Sequence, residues 1–180
     1  MKIEFFESIK KRDPAAKSYI EIILCYPGVH ALFLYHISRI LDKLHIPIIP
    51  RIICNISRII TGIEIHPKAK IGKNLFIDHG TGVVVGETAV IGNNVTIYQN
   101  VTLGGRSINK GKRHPNIEDN VIIGSGAKIL GNITIGEGAK IGPACLILED
   151  VKAGKIMISE KSHELRKKEV KEQYNIEYYI

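Results

Sequence analysis

The sequence predicts a mainly β protein: a parallel β-helix built from six-residue repeats, preceded by an amino-terminal α-helical subdomain. Three observations predict it. An aliphatic residue returns every six positions as Ile65, Ile71 and Ile77. It slips by two to Val85, Ile91, Ile97 and Leu103, and after a longer excursion resumes as Ile117, Ile123, Ile129, Ile135, Ile141 and Ile147. Glycine often follows it (Gly72, Gly86, Gly92, Gly104, Gly124, Gly136, Gly142), and a small or β-branched residue often stands four after it (Ala69, Ala89, Val95, Val101, Val121, Ala127, Ala139). Six is neither a helical period nor the period of two that an alternating sheet with hairpins requires. It suits a coil in which each flat face uses one hexad, three hexads close a triangle, and the corner takes a residue tolerant of positive φ. The aliphatic residue then points inward, and coils stacked about 4.8 Å apart build a continuous ladder.

Residues 1–62 read as the helical subdomain. From Val29 to Leu44, the residues Leu32, Tyr35, His36, Arg39, Ile40 and Lys43 fall at helical spacings with an apolar face to dock on the prism, and Pro47 and Pro50 end that helix. Segment 44–60 is apolar, yet Pro47, Pro50, Arg51 and Arg58 make it a poor membrane span, and packing against the β-helix accounts for it. The coils occupy 63–158 and are interrupted twice. Residues 78–86 add two residues at a corner, and residues 104–116 form a Gly-, Lys- and Asn-rich exposed loop. Both expel polar side chains from a rigid scaffold, where a site is expected. The tail, 159–180, abandons the period, is highly charged, and ends in Tyr178, Tyr179 and Ile180.

A chain of 180 residues supports one domain with an attached subdomain. Cys25, Cys54 and Cys145 lack the paired spacing of a disulfide framework or zinc ribbon, so a reducing cytoplasm is expected, with Cys145 simply part of the core. The charged amino terminus carries no signal pattern, which predicts a soluble protein. The net charge of +7 is scattered and aromatics are few, which favours a phosphate-bearing small ligand over nucleic acid.

Of seven histidines, His66, His79 and His114 lie in or beside the coils. His66 reads as an ordinary surface or core residue. His79 stands beside Asp78 at the corner insertion, where an imidazole and a carboxylate on a stiff prism supply a candidate general base. Glu64, fifteen residues earlier, is nearly one coil back, so its carboxylate is expected to reach the His79 ring and hold its tautomer. His66, His79 and His114 lack the paired spacing of a three-histidine metal site, which argues against a metal-dependent β-helix enzyme of the γ carbonic anhydrase type.

The stretches IEIHPKAKIG, IDHGTGVVVGETAVIG, VTLGG, KRHPNI and IGSGAKILGNITIGEGAKIG, with RDPA near the start, resemble the serine O-acetyltransferases, a hexapeptide-repeat acyltransferase family of cysteine biosynthesis. The resemblance runs from about Arg12 to Val151, and DHGTG followed by RHP is far more specific than the repeat. It implies a left-handed β-helix, a homotrimer, and acetyl-CoA held as co-substrate between neighbouring subunits with no tightly bound cofactor. By the same resemblance, His79 is the general base and Glu64 its acidic partner. Asp13 and Asp78 hold the serine ammonium, Arg113 and His114 its carboxylate, and Gly105, Gly126 and Lys140 contact the cofactor. The reaction needs no metal and no covalent enzyme intermediate.

The chain departs from the family pattern in places. Only twelve residues precede Asp13, where relatives carry a long helical extension that pairs trimers, so a trimer is expected rather than a dimer of trimers. Arg106 and Ser107 replace a Thr-Gly pair, Pro143 removes a backbone donor near the expected cofactor groove, and the usual final coil after Val151 is replaced. Family members often end in isoleucine that enters the active site of O-acetylserine sulfhydrylase, and Ile180 is placed to do so or to pack on its own subunit. Two other readings remain open. One is acyl transfer to another hydroxyl acceptor, against which Asp13, Asp78 and Arg113 argue by matching a zwitterion; the other is a low-activity regulatory binder of the sulfhydrylase.

Overall fold

A computed structural model of the chain describes residues 3–159. Four helices come first: α1 (Ile3–Arg12), α2 (Tyr19–Cys25), α3 (Pro27–Lys43) and α4 (Ile49–Thr61). Short strands follow. The first two coils contain β1 (Glu64–Ile65), β2 (Lys70–Ile71), β3 (Phe76–Ile77), β4 (Val84–Val85), β5 (Val90–Ile91) and β6 (Thr96–Ile97). The third and fourth contain β7 (Thr102–Gly104), β8 (Asn116–Ile117), β9 (Ile122–Ile123), β10 (Lys128–Leu130), β11 (Thr134–Ile135) and β12 (Lys140–Ile141). β13 (Leu146–Ile147) and β14 (Ile156–Met157) lie in the last.

All pairings are parallel and sort the strands into three faces. Face I has the order β1-β4-β7-β10-β13, face II β2-β5-β8-β11, and face III β3-β6-β9-β12-β14. A regular coil is 18 residues, as in Val85 paired with Leu103 and Ile129 with Ile147. Ile65 pairs with Val85, 20 residues on, and Leu103 with Ile129, 26 residues on, so the corner insertion adds two residues and the long loop eight. Three edges result. The corner edge, between faces III and I, carries Asp78–Val83; the loop edge, between I and II, carries 105–115; the asparagine edge, between II and III, carries Asn74, Asn94 and Asn120.

The predicted ladder is the core. Of its members every one is buried except the partly buried Ile71, and the small positions Ala69, Ala89, Val95, Val101, Val121, Ala127 and Ala139 are inaccessible. Cys145 is buried among them. The corner chemistry differs from the expectation attached to the glycines. Positive φ falls three residues after the aliphatic, at Asn74, Asn94, Asn100, Asn120, Gly126, Gly138 and Ala144. The glycine immediately after it serves close approach instead, since a Cβ at Gly124 would sit 2.7 Å from the Pro143 nitrogen of the next coil.

The helical subdomain docks through α3, which buries Val29, Leu32 and Tyr35. Tyr35 Oη donates to Ala69 O at 2.7 Å, and Arg39 Nη1 donates to Pro67 O and Ala69 O at 3.0 and 2.8 Å. Ile40, expected on the docking face, is exposed. Pro50, expected to end the same helix as Pro47, lies in the first turn of α4, where a missing N–H costs nothing. α4 buries only Pro50, Cys54, Ser57 and Thr61, lying against α3 and β1, whereas Ile49, Ile52, Ile56, Ile59 and Ile60 are exposed. Cys54 Sγ donates to Ile65 O of β1 at 2.8 Å, and Ser38 Oγ of α3 to Pro50 O of α4 at 2.7 Å. Gly62, at φ 72°, turns α4 directly into β1. Among the described residues no single helix is long and apolar enough to cross a membrane.

Candidate active site

The corner insertion is shaped by three left-handed residues, His79, Gly80 and Gly82, at φ 58°, 79° and 78°. For a histidine that conformation costs about 1 to 2 kcal/mol, and it throws the imidazole outward, leaving its side chain 72% exposed. Hydrogen bonds along the edge hold the turn: Gly82 N–H donates to Gly62 O at 2.9 Å, and Asn100 N–H to Thr81 O at 2.8 Å. Asp78 Oδ1 lies 3.9 Å from His79 Nε2.

Asp13 reaches the same region from the end of α1. Its Oδ1 accepts from Ala15 N–H at 2.8 Å and its Oδ2 from Tyr26 Oη at 2.5 Å. Arg12 staples this segment to face III by donating to Asn74 O, Val95 O and Thr96 Oγ1 while stacking over Phe76. Burial, then the hydrogen bond to Asp13, raise the Tyr26 hydroxyl well above its ordinary value, and Asp78 adds to this. Asp78 and His79 share the corner edge, and Tyr26, whose ring lies 6.5 Å from that of Phe76 on β3, holds Asp13 over the face that leads into it. Tyr26, absent from the sequence reading, fixes the Asp13 carboxylate; its only sequence signal was its place beside Pro27 at a helix junction.

Glu64 stands on β1, two residues past Gly62 and so beside the same edge, but within one chain it makes no hydrogen bond or ion pair with His79. Its Oε2 lies 3.8 Å from Arg58 Nε on α4. The expected bond from Glu64 to the His79 ring is thus not formed, and the carboxylate's nearest cation is Arg58. Asp78 is the carboxylate that faces the ring.

Arg113 and His114 lie on the loop edge, across face I from His79. Arg113 Nη2 donates to Glu87 Oε2 at 2.8 Å, and Lys68 Nζ to Glu87 Oε1 at 3.3 Å. Burial pushes the Glu87 carboxyl up, but these two cations outweigh it and hold it below its ordinary value. His114 is buried, with Nδ1 2.9 Å from Thr88 Oγ1, and burial followed by Arg113 and Lys112 lower its pKa. Lys112 Nζ ties the loop to Thr88 O at 2.6 Å. Glu87 and Thr88 were not singled out from sequence, although both stand in GETAV directly after a ladder residue.

The cofactor candidates are spread. Gly105 opens the long loop beside Arg113, Gly126 is a corner-edge turn at φ 71°, and Lys140 projects from face III. Gly126 N–H donates to Gln99 O, and Ala144 N–H to Ser125 O, continuing the hydrogen-bonded column above His79. Pro143 accepts from Ser159 Oγ at 3.0 Å, and Arg106 Nη1 donates to Leu148 O at 3.3 Å. His66 is half-buried on the loop edge, its Nδ1 accepting from Lys68 N–H. Among the described residues no group of three or more His, Cys, Asp or Glu is placed to hold a metal ion.

Residues 114–149 match the family model described as bacterial transferase hexapeptide (six repeats). A serine acetyltransferase of Helicobacter pylori is 48% identical over 161 residues, 89% of this chain and 94% of its own. One from Synechococcus elongatus is 51% identical over 146 residues, 81% of this chain; the match spans only 60% of that relative's length. Among solved structures, serine acetyltransferase isoform 3 of Entamoeba histolytica in complex with cysteine superposes with a TM-score of 0.84 at 44% identity, covering 93% of this chain and 60% of that one. The Neisseria gonorrhoeae serine acetyltransferase in complex with serine gives 0.83 at 40% identity, covering 88% and 65%. The prism is thus a left-handed parallel β-helix, and with identity near one half over most of its length the chain belongs to the serine acetyltransferase family.

Proposed function

We propose that this protein is a serine O-acetyltransferase, moving the acetyl group of acetyl-CoA to the hydroxyl of L-serine to give O-acetylserine and CoA for cysteine biosynthesis. The observation that supports the reading is the left-handed corner that presents His79 beside Asp78 on a family-typical prism, with Asp13 held by Tyr26 against the adjoining face. Two carboxylates suit an ammonium group, and a solvent-reached imidazole beside them suits a hydroxyl that must lose its proton. Neutral His79 accepts that proton as the serine oxygen attacks the thioester carbonyl. Backbone N–H groups stabilise the oxyanion, the C–S bond breaks, and the imidazolium returns its proton to the CoA thiolate. Asp78 orients the ring, and Glu64 takes that part when it leaves Arg58.

Arg113 and His114 receive the serine carboxylate. Because they sit across face I from His79, a complete site joins the corner edge of one copy to the loop edge of the next, which supports a homotrimer. Acetyl-CoA lies in that groove as a co-substrate, near Gly105, Gly126 and Lys140. Three free cysteines support a cytoplasmic setting. The part of the tail that would meet O-acetylserine sulfhydrylase, Ile180 included, lies outside the described residues.

The test is release of CoA thiol from acetyl-CoA with L-serine against other hydroxy compounds. Serine-dependent release supports the reading. Equal rates with a sugar or with a hydroxy acid lacking the ammonium group would overturn the acceptor assignment, and acetyl-CoA binding without turnover would favour the regulatory binder.

A further inference from the structure

Thr88 is a hydrogen-bonding hub directed at the returning limb of the long loop. Its Oγ1 accepts from the N–H groups of Arg113 and His114 at 3.0 and 3.1 Å. The same oxygen lies 2.9 Å from His114 Nδ1, and the Thr88 N–H donates to that nitrogen at 3.2 Å. A backbone N–H can only donate, so Nδ1 is an acceptor and carries no proton. With both lone pairs of Oγ1 occupied by N–H donors, the hydroxyl hydrogen also has Nδ1 as its partner. A neutral ring then bears its proton on Nε2. The imidazole packs on Gly86, where any Cβ would collide with Cδ2 and Nε2, and among the described residues nothing accepts from Nε2.

Building on the acetyltransferase reading, we propose that Thr88 is the positioning residue that fixes His114 as an uncharged, Nε2-protonated donor. The loop edge then meets the substrate carboxylate with one permanent cation, Arg113, and one neutral N–H. This divides the two histidines by role: His79 exchanges a proton and His114 does not. Protonating Nδ1 would set its hydrogen against the Thr88 N–H and forfeit two bonds. The charged groups that bear on the ring are Arg113 and Lys112, which oppose a second proton, and Glu87, which favours it.

The experiment is nitrogen NMR of the full-length protein labelled at histidine, joined to steady-state kinetics, on the wild type, Thr88→Val and Thr88→Ser. The expected wild-type spectrum has His114 with a bare Nδ1 and a protonated Nε2 through neutral pH. Thr88→Val keeps the shape but loses the hydroxyl; it is expected to give mixed tautomers, a His114 titration moved to higher pH, and a KM for serine raised about tenfold with kcat changed less. Thr88→Ser restores all three. A wild-type ring protonated on Nδ1, or a Thr88→Val protein whose tautomer and titration match wild type, overturns the proposal. If Thr88→Val does not fold, the wild-type spectrum still tests the proposal, because a His114 ring protonated on Nδ1 overturns it. Absence of serine-dependent CoA release in the wild type defeats the activity reading alone, since the tautomer is read without turnover.

Discussion

At the corner edge the imidazole of His79 is held by a left-handed backbone, with Asp78 Oδ1 3.9 Å from its Nε2 and its side chain 72% exposed. At the loop edge His114 is only 8% exposed and is gripped through Thr88 and packed on Gly86. The same residue type is thus free to move protons in one place and built into the fold in the other. If the proposed roles hold, the scaffold commits the backbone where a ring must exchange a proton and commits the ring where a fixed donor is needed.

The sharpest way to break this contrast is His79→Ala. Serine-dependent CoA release is expected to fall about 10²- to 10⁴-fold, with the urea midpoint unchanged because the side chain packs on little; retained turnover would remove His79 from the mechanism. Next comes a mixing experiment. Two inactive variants, His79→Ala and Arg113→Ala, refolded together are expected to regain about a quarter of the sites if each site joins edges of two copies, and none if a single chain supplies both edges. Gly86→Ala drives a methyl group into the His114 ring and is expected to destabilise the protein by about 1 to 3 kcal/mol, read by urea denaturation; a neutral effect would mean the ring is not tightly packed.

The smallest effect concerns acid. Burial, then Arg51, lower His66 from 6.5 to about 4. The unfolded chain therefore takes up a proton before the folded one, so the stability tied to this ring is complete above about pH 6.5 and is lost as pH falls toward 4. His66→Gln is expected to flatten that acid limb, and an unchanged limb would place the sensitivity elsewhere.

The prism was legible because one side-chain choice, Ile at every sixth position, has a single geometric meaning, and Ile97, Leu103, Ile123 and Ile129 fulfil it with no exposure. The helical docking was less so. Apolar periodicity finds α3, but α4 buries Pro50, Cys54, Ser57 and Thr61 and leaves its isoleucines exposed, so hydrophobicity does not mark its inner side. At the site, residue types and spacing located the two interrupted edges, and His79 with Asp78 stand together on the first of them. What spacing could not supply was lateral displacement. A count of fifteen residues put Glu64 beneath His79, whereas its ion-pair partner is Arg58 on α4.

The long loop leaves and rejoins the column with the coils on either side still in phase, Ile91 over Ile117, Ile97 over Ile123 and Leu103 over Ile129. It hangs like a handle on a stacked vessel. The outer limb, 106–111, is exposed and can therefore lengthen or shorten over generations without any rung of the interior being rewritten, while 112–114 stay fastened to the column.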